Sequence, residues 1–533
     1  MNDPFNAASW LVDRHIRAGD GSRSAVRCLG TDTSYRELHQ LVQAFSRGLR
    51  QIAVRRGDRV LFVCSDRLEL AVGILGALRY GAVAVPVSTM LTGPELATVV
   101  VDSGARVLVA SPEFAEIASA AVADAPELEH VVQVEGAAVQ APPHVTVTAW
   151  DQLLRPGTDE PAPTGPDSPA LWLYTSGTTG SPKGAMHRHA NLRAVCETYA
   201  QDVLEVRPDD RFFSVAKLFF AYGFGNSLLF PLSVGATALL EPARPSPQGV
   251  AERVRADRPT LFFAGPSFLA ALLAAELPPD TFASVRLCVS AGEALPATLY
   301  RRFTERFGVE ILDGIGSTEA LHIFLSNRAG SVRPGTSGNV VRGYQLEVRD
   351  EDGRQVPAGA PGSLFVRGDS VATGYWCRTD ASREVFQGQW LRTGDTYVRA
   401  DDGYFTCLGR SSDLLKAGGI WVSPAEVEER LLQHPGVAEA AVVGVADRDE
   451  LEKPVAFVVA RRGTDLDPEA LVAWCREALA AFKRPRAVVV VDELPKTATG
   501  KVQRFRLRQQ AGSDLFDSVG TPAETPGQAV ASL

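Results

Sequence analysis

The sequence predicts an α/β protein that carries a small antiparallel subdomain and a compact α+β unit toward its C-terminal end. Three observations predict this. Short β-branched runs alternate with amphipathic stretches through most of the chain, which is the pattern of βαβ units. From about Leu364 the runs become short, aromatic-rich and separated by turn residues, as in antiparallel strands. Beyond Asp413, a helical pattern and several apolar runs are compact enough for a small α+β domain.

The first strand and helix patterns lie between residues 58 and 111. The segment "DRVLFVC" (58–64) is typical of a buried strand, and "LELAVGILGALRYG" (68–81) is typical of the helix after it. A second strand is predicted at "AVAVPV" (82–87), and a helix end with a third strand at "ATVVVDSGARVLVAS" (97–111). Strand, helix and strand at this spacing imply a largely parallel sheet that is covered on both faces.

The segments that follow have a different residue pattern. The predicted antiparallel, barrel-like subdomain contains the runs "GSLFVRG", "GQWLRTGDTYV" and "DDGYFTCLGR". The small unit begins with a helix and a strand in "SPAEVEERLLQHPGVAEAAVVGV" and continues with "KPVAFVVA", "EALVAWCREALAAF" and "RAVVVVDEL". From about Gly512 bulky apolar residues are rare, so this tail is predicted to be disordered.

Length and composition narrow the class of protein. A chain of 533 residues exceeds what one core usually supports, and its net charge of −9 argues against nucleic acid or an anionic membrane as a general partner. Seven scattered cysteines without a CxxC pair fit reduced thiols better than disulfides or zinc. The N-terminal stretch lacks the apolar run of a signal peptide, and the nine apolar residues before Arg79 cannot span a bilayer. A cytoplasmic location is therefore predicted.

A loop rich in Gly and Thr carries the first functional signal. The stretch "TSGTTGSPKG" (175–184) lies between a predicted strand, "ALWLYT", and a predicted helix, "HANLRAVCETYAQDV". Glycines bring backbone amides close to a ligand, hydroxyls donate hydrogen bonds, and Lys183 supplies positive charge, which together indicate phosphate binding. It is not a P-loop, because a P-loop requires Gly-Lys followed by Ser or Thr, whereas Lys183 lies between Pro182 and Gly184.

Four further stretches complete a chemical set: "DGIGSTEA" (313–320), "WLRTGD" (390–395), "GRSSDLLKAGGIWVSPAEVE" (409–428) and "PKTATGKVQR" (495–504). Each alone has an ordinary explanation, since Thr-Glu fits a capping box, Arg-Thr-Gly-Asp a turn and a Gly-Lys loop an exposed hairpin. All five in this order resemble the adenylate-forming superfamily of acyl-CoA synthetases, peptide-synthetase adenylation domains and firefly luciferase, over about residues 5–510.

The resemblance implies a fold and a reaction. The fold would be a large N-terminal domain (1–412) of two mostly parallel α/β sheet subdomains and a small antiparallel barrel-like subdomain. A small mobile α+β domain (413–512) with a catalytic lysine would follow, and then the disordered tail (513–533). The reaction would use ATP to activate a carboxylate as an acyl-adenylate, with release of pyrophosphate and transfer to a thiol. Asp413 would be the hinge about which the small domain rotates.

The resemblance also assigns residues to the nucleotide. Attack on the α-phosphorus brings two anionic groups together, so charge must be neutralised where it accumulates. Glu319 would hold Mg²⁺, Thr318 would bond the α-phosphate, and Lys501 would bridge the carboxylate and the α-phosphate. Asp395 would bind the ribose hydroxyls, with Arg410 beside it. The remaining implied residues are Thr175, Ser176, Gly177, Thr178, Thr179 and Lys183 for the phosphates, Gly292, Glu293, Asp313 and Gly314 for the adenine, and Gly418, Gly419 and Trp421 for the pantetheine tunnel.

Two further stretches predict the acid. "KLFFAYGFGNS" with "GSTEALHIF" resembles the benzoate–CoA ligase branch, and it lacks the "PLFH"-like and Gly-Pro features of many fatty acyl and coumarate relatives. A flat aryl acid needs a short, mostly apolar slot with aromatic walls. The candidates for this slot are Phe220, Ala221, Tyr222, Gly225, Ile315 and His322. The alternatives are core packing for Phe219, Phe220, Phe224 and His322, and for His187 and His189 either a place near the nucleotide or a surface role.

The predicted function is therefore an ATP- and Mg²⁺-dependent aryl–CoA ligase, for benzoate or a close analogue, with coenzyme A as the thiol. One alternative is transfer to the phosphopantetheine arm of a carrier protein, and another is a non-catalytic binding relative. The predicted partners are small molecules, without nucleic acid or membrane insertion. A homodimer is left open.

Overall fold

The computed structural model describes residues 4–136, 138–176, 182–410, 415–417, 420–446, 452–480, 483–496 and 502–511. Several predicted positions lie outside these ranges: Gly177, Thr178, Thr179, Asp413, Gly418, Gly419, Lys501 and the tail 513–533. Within the described ranges, no helix has both the length and the apolar character that crossing a membrane requires.

The chain divides into two compact units. The first contains residues 1–393 and 397–407, and the second contains residues 394–396 and 408–533. Each unit is described by itself.

The strands of the first unit are β1 (Ser24–Cys28), β2 (Thr31–Ser34), β3 (Arg59–Val63), β4 (Val83–Pro86), β5 (Ala105–Ala110), β6 (His130–Gln133), β7 (Thr146–Ala149), β8 (Pro169–Ser176), β9 (Pro182–Arg188), β10 (Arg211–Ser214), β11 (Thr237–Leu240), β12 (Leu261–Phe263), β13 (Leu287–Ser290), β14 (Ile311–Gly316), β15 (Ile323–Ser326), β16 (Asn339–Val340), β17 (Gln345–Arg349), β18 (Pro361–Arg367), β19 (Phe386–Gln387), β20 (Trp390–Arg399) and β21 (Phe405–Arg410), the last two of which extend into the second unit.

The α-helices of the first unit are α1 (Arg14–Arg17), α2 (Tyr35–Gln51), α3 (Leu68–Tyr80), α4 (Gly93–Ser103), α5 (Ala115–Val122), α6 (Trp150–Leu153), α7 (His189–Val195), α8 (Ala221–Phe224), α9 (Phe230–Val234), α10 (Pro247–Asp257), α11 (Pro266–Ala274), α12 (Ala297–Phe307) and α13 (Thr379–Val385). Wider π turns occur at Ser9–Asp13, Cys196–Val203 and Gly225–Leu229, and tighter 3-10 turns at Pro112–Phe114, Pro279–Phe282 and Thr318–Ala320.

Two large sheets form the framework of this unit. One has seven strands in the order β7-β6-β5-β3-β4-β8-β9 and is parallel except at the β8–β9 edge. The other has nine strands in the order β16-β15-β14-β13-β12-β10-β11-β1-β2, with a parallel centre and antiparallel edges. The predicted pair of mostly parallel sheets is present.

The third sheet of the first unit accounts for the aromatic-rich segment. It has five strands, in which β17-β18-β20-β19 are neighbours and β21 pairs with β20. The antiparallel pairing of β17 with β18 and of β19 with β20 agrees with the predicted antiparallel subdomain.

Local sequence explains the helices that cover the sheets. Ser34 and Glu37 form a reciprocal capping box at the start of α2, which is the arrangement that satisfies the first free amides of a helix. Helix α3 is apolar on nearly every side and buried, and the residue that follows its last position, Gly81, has a φ of 84°, which glycine adopts readily. Strand β3 is a continuous apolar run, as expected for a strand covered on both faces.

The segment around the Gly/Thr-rich loop differs from its prediction. The loop joins two antiparallel strands, β8 and β9, and β9 was not predicted; the helix predicted from His189 does begin there, as α7. Strand β9 also pairs on its other side, because the Met186 amide donates to the Gly374 carbonyl at 3.0 Å and the Trp376 amide donates to the Gly184 carbonyl at 2.9 Å. This second partner is about 190 residues away, and the local pattern that placed a loop directly before a helix could not include it.

The second unit has its own small core. The helices are α14 (Pro424–Leu432), α15 (Pro468–Ala478) and α16 (Arg504–Gln510). The strands are β22 (Leu415–Ala417), β23 (Ile420–Val422), β24 (Val437–Ala446), β25 (Glu452–Ala460) and β26 (Ala487–Val490). β24 and β25 are antiparallel, β25 and β26 are parallel, and β22 pairs with β23 as a hairpin. This matches the predicted small α+β unit.

Candidate active site

The β8–β9 hairpin brings together two residues of the predicted phosphate loop. Thr175 near the end of β8 is the register partner of Lys183 near the start of β9, so the hydroxyl and the cation are on adjacent strands. Along β9, side chains two residues apart share a face, which places Lys183 and His187 on the same face. Ser176 ends β8, and the loop residues 177–181 lie outside the described residues.

The turn that carries Thr318 and Glu319 is held by backbone contacts. Ser317 begins the turn and its hydroxyl accepts a hydrogen bond from the Ala320 amide at 3.1 Å. The Thr318 carbonyl accepts one from His187 Nε2 at 2.8 Å, and the Glu319 carbonyl accepts one from the Ala372 amide at 2.7 Å. His187 of β9 and Ala372 both hold this turn, so the backbone that carries the Thr318 and Glu319 side chains is fixed.

Tyr375 joins the phosphate loop to the predicted magnesium ligand. Its hydroxyl donates to Glu319 Oε1 at 2.6 Å, and Lys183 Nζ lies 5.6 Å from the centre of its ring. The Tyr375 backbone is also bridged to Ala185 of β9. Tyr375 is not among the residues predicted from the sequence. The only available signal was an aromatic pair after Gly374, which gives no information on the distance to Glu319.

Glu319 fits a magnesium ion that is shared with phosphate. Tyr375 occupies one carboxylate oxygen, and no described residue donates a hydrogen bond to the other, Oε2. In the part of the chain that the structure describes, no three His, Cys, Asp or Glu side chains cluster as metal ligands. Mg²⁺ is commonly bound by one or two carboxylates together with water and substrate phosphates. A single carboxylate is therefore sufficient here only if phosphate completes the coordination.

The two histidines of "MHRHANL" are buried, so the surface role considered for them is wrong. Burial lowers the pKa of both His187 and His189 to about 4. His187 is therefore neutral at physiological pH, and its contact with the Thr318 carbonyl requires that Nε2 carry the proton. His189 Nδ1 accepts a hydrogen bond from the Ala7 amide at 3.0 Å, which ties the N-terminal segment to α7. Of the two, His187 is the one in contact with a predicted catalytic residue.

The residues predicted to line the adenine lie just after β13 and within β14, which are adjacent parallel strands. Ser290 and Asp313 are register partners near the carboxyl edge of the parallel strands; β13 ends at Ser290, whereas β14 continues to Gly316 and pairs there with β15. Ligands of open α/β sheets bind outside this edge. Gly292 has a φ of 98°, and an added Cβ at Gly314 would lie 2.8 Å from the Leu325 carbonyl oxygen, so both positions require glycine.

Two acidic residues in this group have different surroundings. The Asp313 side chain is buried, and burial raises its pKa well above the usual value. Glu293 accepts a hydrogen bond from the Ser267 hydroxyl at 2.9 Å. The Ser267 contact holds the Glu293 side chain in the segment that follows β13.

The predicted ribose ligand and its neighbour lie in the second unit. Asp395 is buried and Arg410 is half exposed, and Arg410 Nε is 3.1 Å from Asp395 Oδ1. Gly394 precedes Asp395 with a φ of 77°, and an added Cβ there would be 3.3 Å from an Arg410 guanidinium nitrogen. Arg410 lies beside Asp395, where the resemblance places it, and the two side chains form an ion pair.

The predicted aryl slot centres on His322. Its ring lies 5.6 Å from that of Tyr222, and an added Cβ at Gly225 would come within 2.3 Å of His322 Cδ2. Tyr222 is itself anchored, because its hydroxyl donates to the Val289 carbonyl at 2.9 Å. Three of the six predicted slot residues are thus in one contact group, and the absence of a side chain at Gly225 makes room for the imidazole.

His322 is a neutral side chain with one hydrogen-bonding atom unused by the protein. Burial lowers its pKa to about 3. Nε2 lies 3.2 Å from Asn226 Oδ1 and 3.3 Å from the Tyr222 carbonyl oxygen, so we assign the proton to Nε2. Nδ1 is then an acceptor, and it is buried without a hydrogen-bond partner among the described residues. His322 is therefore buried like a core residue, but one of its two ring nitrogens has no hydrogen-bond partner among the described residues.

The other slot candidates lie on neighbouring elements. Ala221 begins α8 and is buried, while Ile315 on β14 is half buried two residues beyond Asp313. Phe220 is also half buried and its ring is 4.2 Å from that of Phe219. Phe219 and Phe224 are buried in the core, which agrees with the packing alternative for these two aromatics.

The fold and the motif loops define an α/β enzyme that handles nucleotide phosphates, and comparison with known proteins gives its family. Residues 13–376 match the family model of the AMP-binding enzymes, and residues 426–501 match the model of the AMP-binding enzyme C-terminal domain. The chain belongs to this family. The predictions of an adenylate-forming enzyme and of its α/β fold are confirmed.

Within this family, the chain is similar over nearly its whole length to ligases of aromatic acids. The chain is 44% identical to a benzoate–CoA ligase of Thauera aromatica over 95% of this chain and 96% of the relative. It is 40% identical to a 4-hydroxybenzoate–CoA/benzoate–CoA ligase of Rhodopseudomonas palustris over 98% of this chain and 97% of the relative. A crystal structure of a benzoate CoA ligase from Burkholderia xenovorans LB400 superposes with a TM-score of 0.87 at 42% identity, covering 95% of this chain and all of the other.

Proposed function

We propose that this AMP-forming acid–thiol ligase activates benzoate or a close analogue and transfers the aryl group to coenzyme A. The main structural support for this proposal is that Tyr375 contacts both Lys183 and Glu319. It joins a cation from the phosphate loop to a carboxylate suited to Mg²⁺, a few residues along the chain from the His322 slot. The similarity to benzoate–CoA ligases along nearly the whole chain supports the same substrates: an aryl acid, ATP and coenzyme A.

The proposed reaction has two steps, adenylation of the acid and transfer to the thiol. A carboxylate oxygen of the acid bonds to the α-phosphorus of ATP while the bond to the β-phosphate oxygen breaks, so that pyrophosphate leaves. The thiolate of coenzyme A then bonds to the acyl carbon, and AMP leaves with the shared oxygen. The first step places the larger demand on charge neutralisation, because an anion approaches a polyanion.

Five of the predicted nucleotide residues have individual roles in this proposal. Lys183 neutralises the departing pyrophosphate, Glu319 binds Mg²⁺, and Thr318 bonds the α-phosphate. Asp395 binds the ribose, and Lys501 stabilises the transition state of adenylation. Lys501 lies outside the described residues, so its role rests on the motif "PKTATGKVQR" alone. The hinge at Asp413 and the pantetheine tunnel at Gly418, Gly419 and Trp421 rest on the family resemblance in the same way.

The acyl site supports a small, flat acid. Tyr222, His322 and Phe230 supply aromatic rings, and the ring centres of Phe230 and His322 are 4.5 Å apart. The buried acceptor at His322 Nδ1 would be satisfied by a ring hydroxyl of the substrate, and such a match is worth more than an added methylene in an apolar pocket. A hydroxybenzoate is therefore included in the substrate class with benzoate itself.

A carrier protein is the second candidate acceptor. Its phosphopantetheine arm presents the same thiol as coenzyme A, so the adenylation step would be unchanged. The full-length coverage of the benzoate–CoA and 4-hydroxybenzoate–CoA ligases favours coenzyme A.

The test separates the two half-reactions. Purified protein is given ATP, Mg²⁺ and a panel of benzoate, the three hydroxybenzoates, anthranilate and an unbranched fatty acid, first without thiol and then with coenzyme A. We expect pyrophosphate release with the aryl acids alone, and aryl–CoA formation once coenzyme A is present. Absence of pyrophosphate with every aryl acid contradicts the proposal. Adenylation without thioester formation, followed by transfer to a phosphopantetheinylated carrier protein, favours the second acceptor.

A further inference from the structure

A buried carboxylate outside the proposed chemistry connects the two large sheets of the first unit. Asp66 follows β3 of the seven-stranded sheet and is only 3% exposed. Its two oxygens, Oδ1 and Oδ2, each lie 3.1 Å from the backbone nitrogen of Leu218. Leu218 follows β10 of the nine-stranded sheet. One side chain from the first sheet thus accepts the amide of a segment that leaves the second.

The segment held by Asp66 leads directly into the predicted aryl slot. The Lys217 carbonyl accepts a hydrogen bond from the Phe220 amide at 3.0 Å, and α8 begins at the next residue. Helix α8 also packs tightly back on this turn, because an added Cβ at Gly223 would lie 2.1 Å from the Lys217 carbonyl oxygen. The path of residues 217 and 218 therefore determines where Phe220, Ala221 and Tyr222 are placed.

Burial of a carboxylate costs free energy unless a contact compensates for the lost hydration. Burial raises the pKa of Asp66 to about 6, and the Lys217 cation and the Leu218 amide act in the opposite direction. An apolar side chain of similar size would avoid the cost of burying a charge, but it would leave the buried Leu218 amide without its acceptor. The acceptor, and not the charge, is the property of Asp66 that the neighbouring segment requires.

We propose that Asp66 is a positioning residue for the aryl acid: by accepting the Leu218 amide, it fixes the turn that presents Phe220, Ala221 and Tyr222 to the substrate. This inference rests on the proposed function, because the substrate must occupy the slot that α8 forms. Asp66 acts through the backbone and contacts neither the nucleotide nor the acid. Its loss should therefore weaken the acid site while the ATP site is retained.

Two nearly isosteric variants separate the acceptor from the charge. Asp66→Asn and Asp66→Leu both remove the charge, but only the asparagine keeps an oxygen that can accept the Leu218 amide. The control is Asp210→Asn, which alters a carboxylate of equal exposure, 3%, at the other end of β10. Asp210 is paired with Arg286 at 2.8 Å, and its other side-chain hydrogen bonds come from the Arg207 amide and the Thr260 hydroxyl, which lie outside the 217–222 segment.

The kinetic measurement is pyrophosphate release, with KM determined separately for benzoate and for ATP. For Asp66→Leu we expect the KM for benzoate to rise about tenfold or more and the KM for ATP to change by less than about twofold. Asp66→Asn should remain within about threefold of the unaltered protein in both constants, and so should Asp210→Asn. Equal rises in both KM values, or an asparagine variant as impaired as the leucine variant, would overturn the proposal.

A second measurement does not depend on activity. Amide hydrogen exchange of the peptide covering residues 216–224 should accelerate in Asp66→Leu and stay near the unaltered rate in Asp66→Asn. If no aryl acid supports pyrophosphate release, the proposed function fails while the exchange data still decide whether Asp66 holds this segment. If Asp66→Leu does not fold, Asp66→Ala takes its place as the variant without an acceptor, and the same contrast with Asp66→Asn in benzoate KM and in protection decides.

Discussion

The Tyr375 hydroxyl donates a 2.6 Å hydrogen bond to the Glu319 carboxylate, and these two residues are 56 positions apart in the chain. The same phenol ring lies beside Lys183 of the phosphate loop. Tyr375 therefore fixes the orientation of the carboxylate that is proposed to bind Mg²⁺, in the way that outer-shell partners orient metal ligands in general.

Removing this hydroxyl should weaken metal binding without unfolding the site. Tyr375→Phe keeps the ring against Phe386, whose ring centre is 5.2 Å away, and deletes only the donor. We expect the Mg²⁺ concentration for half-maximal pyrophosphate release to rise by about 10- to 100-fold. Calorimetric titration of Mn²⁺ in the presence of a non-hydrolysable ATP analogue should show the same loss, independently of turnover. A variant with unchanged affinity in both measurements would show that Glu319 needs no such support.

Strand β9 and the loop before it show which part of this site could be predicted from the sequence and which part could not. The residue types of "TSGTTGSPKG" correctly indicated a phosphate-binding family, because Gly, Thr and Lys are needed for that chemistry wherever it occurs. The strand after the loop was not predicted, since its second partner, the segment around Tyr375, is distant in sequence. Tyr375 itself was missed for the same reason.

The buried polar residues illustrate a second limit. Asp66 was not singled out in the sequence and a surface role was considered for His187, yet both side chains are buried. Burial follows from which elements pack together, and local periodicity does not report that for residues in loops. The parallel strands were predictable because continuous apolar runs must be covered on both faces.

The close contact at Gly225 predicts a size limit in the aryl slot. A methyl group there would lie 2.3 Å from His322 Cδ2 and 2.7 Å from Nε2, so Gly225→Ala must displace a fully buried ring. Overpacking of this kind costs about 1–3 kcal/mol of stability. The displaced ring should raise the KM for benzoate more than the KM for ATP, measured by pyrophosphate release.

A matched control for this variant is available at Gly165. An added Cβ at Gly165 would meet no atom within 4 Å, and its φ is not in the left-handed region. Gly165→Ala should therefore leave stability and both KM values nearly unchanged. If Gly225→Ala behaves like this control, His322 is not a wall of the acid site.

The buried histidines predict how stability depends on pH. Burial lowers the pKa of His189 from 6.5 to about 4, so the unfolded chain binds a proton that the folded protein excludes. Stability from this group is therefore complete above pH 6.5 and decreases as the pH falls from 6.5 toward 4. Between pH 7.5 and pH 5 the loss should be about 2 kcal/mol for one such histidine. His187 and His322 act in the same direction.

Denaturant unfolding at pH 7.5 and pH 5 tests this for His189, whose Nδ1 accepts the Ala7 amide. His189→Asn preserves an acceptor and removes the titration, so the loss of unfolding free energy on acidification should be smaller by about 2 kcal/mol. Asp66 should oppose the histidines, because its raised pKa of about 6 means that the folded state gains a proton as the pH falls. Asp66→Asn should accordingly make the acid loss steeper. An unchanged pH slope in His189→Asn contradicts the assignment of a neutral imidazole.

The lysine of the second Gly/Thr-rich loop predicts a separation of the two half-reactions. Lys501→Ala should reduce adenylation by at least about 100-fold, because this cation is proposed to act only in the transition state of the first step. Thiolysis of supplied benzoyl-adenylate by coenzyme A should remain within about threefold of the unaltered rate, since no pyrophosphate leaves in that step. The matched control is Lys496→Ala in the same stretch, where the lysine is paired with Glu439 at 2.5 Å. Both half-reactions should survive in the control, and an equal loss of both in Lys501→Ala would mean that this lysine supports the fold or the second step and not adenylation alone.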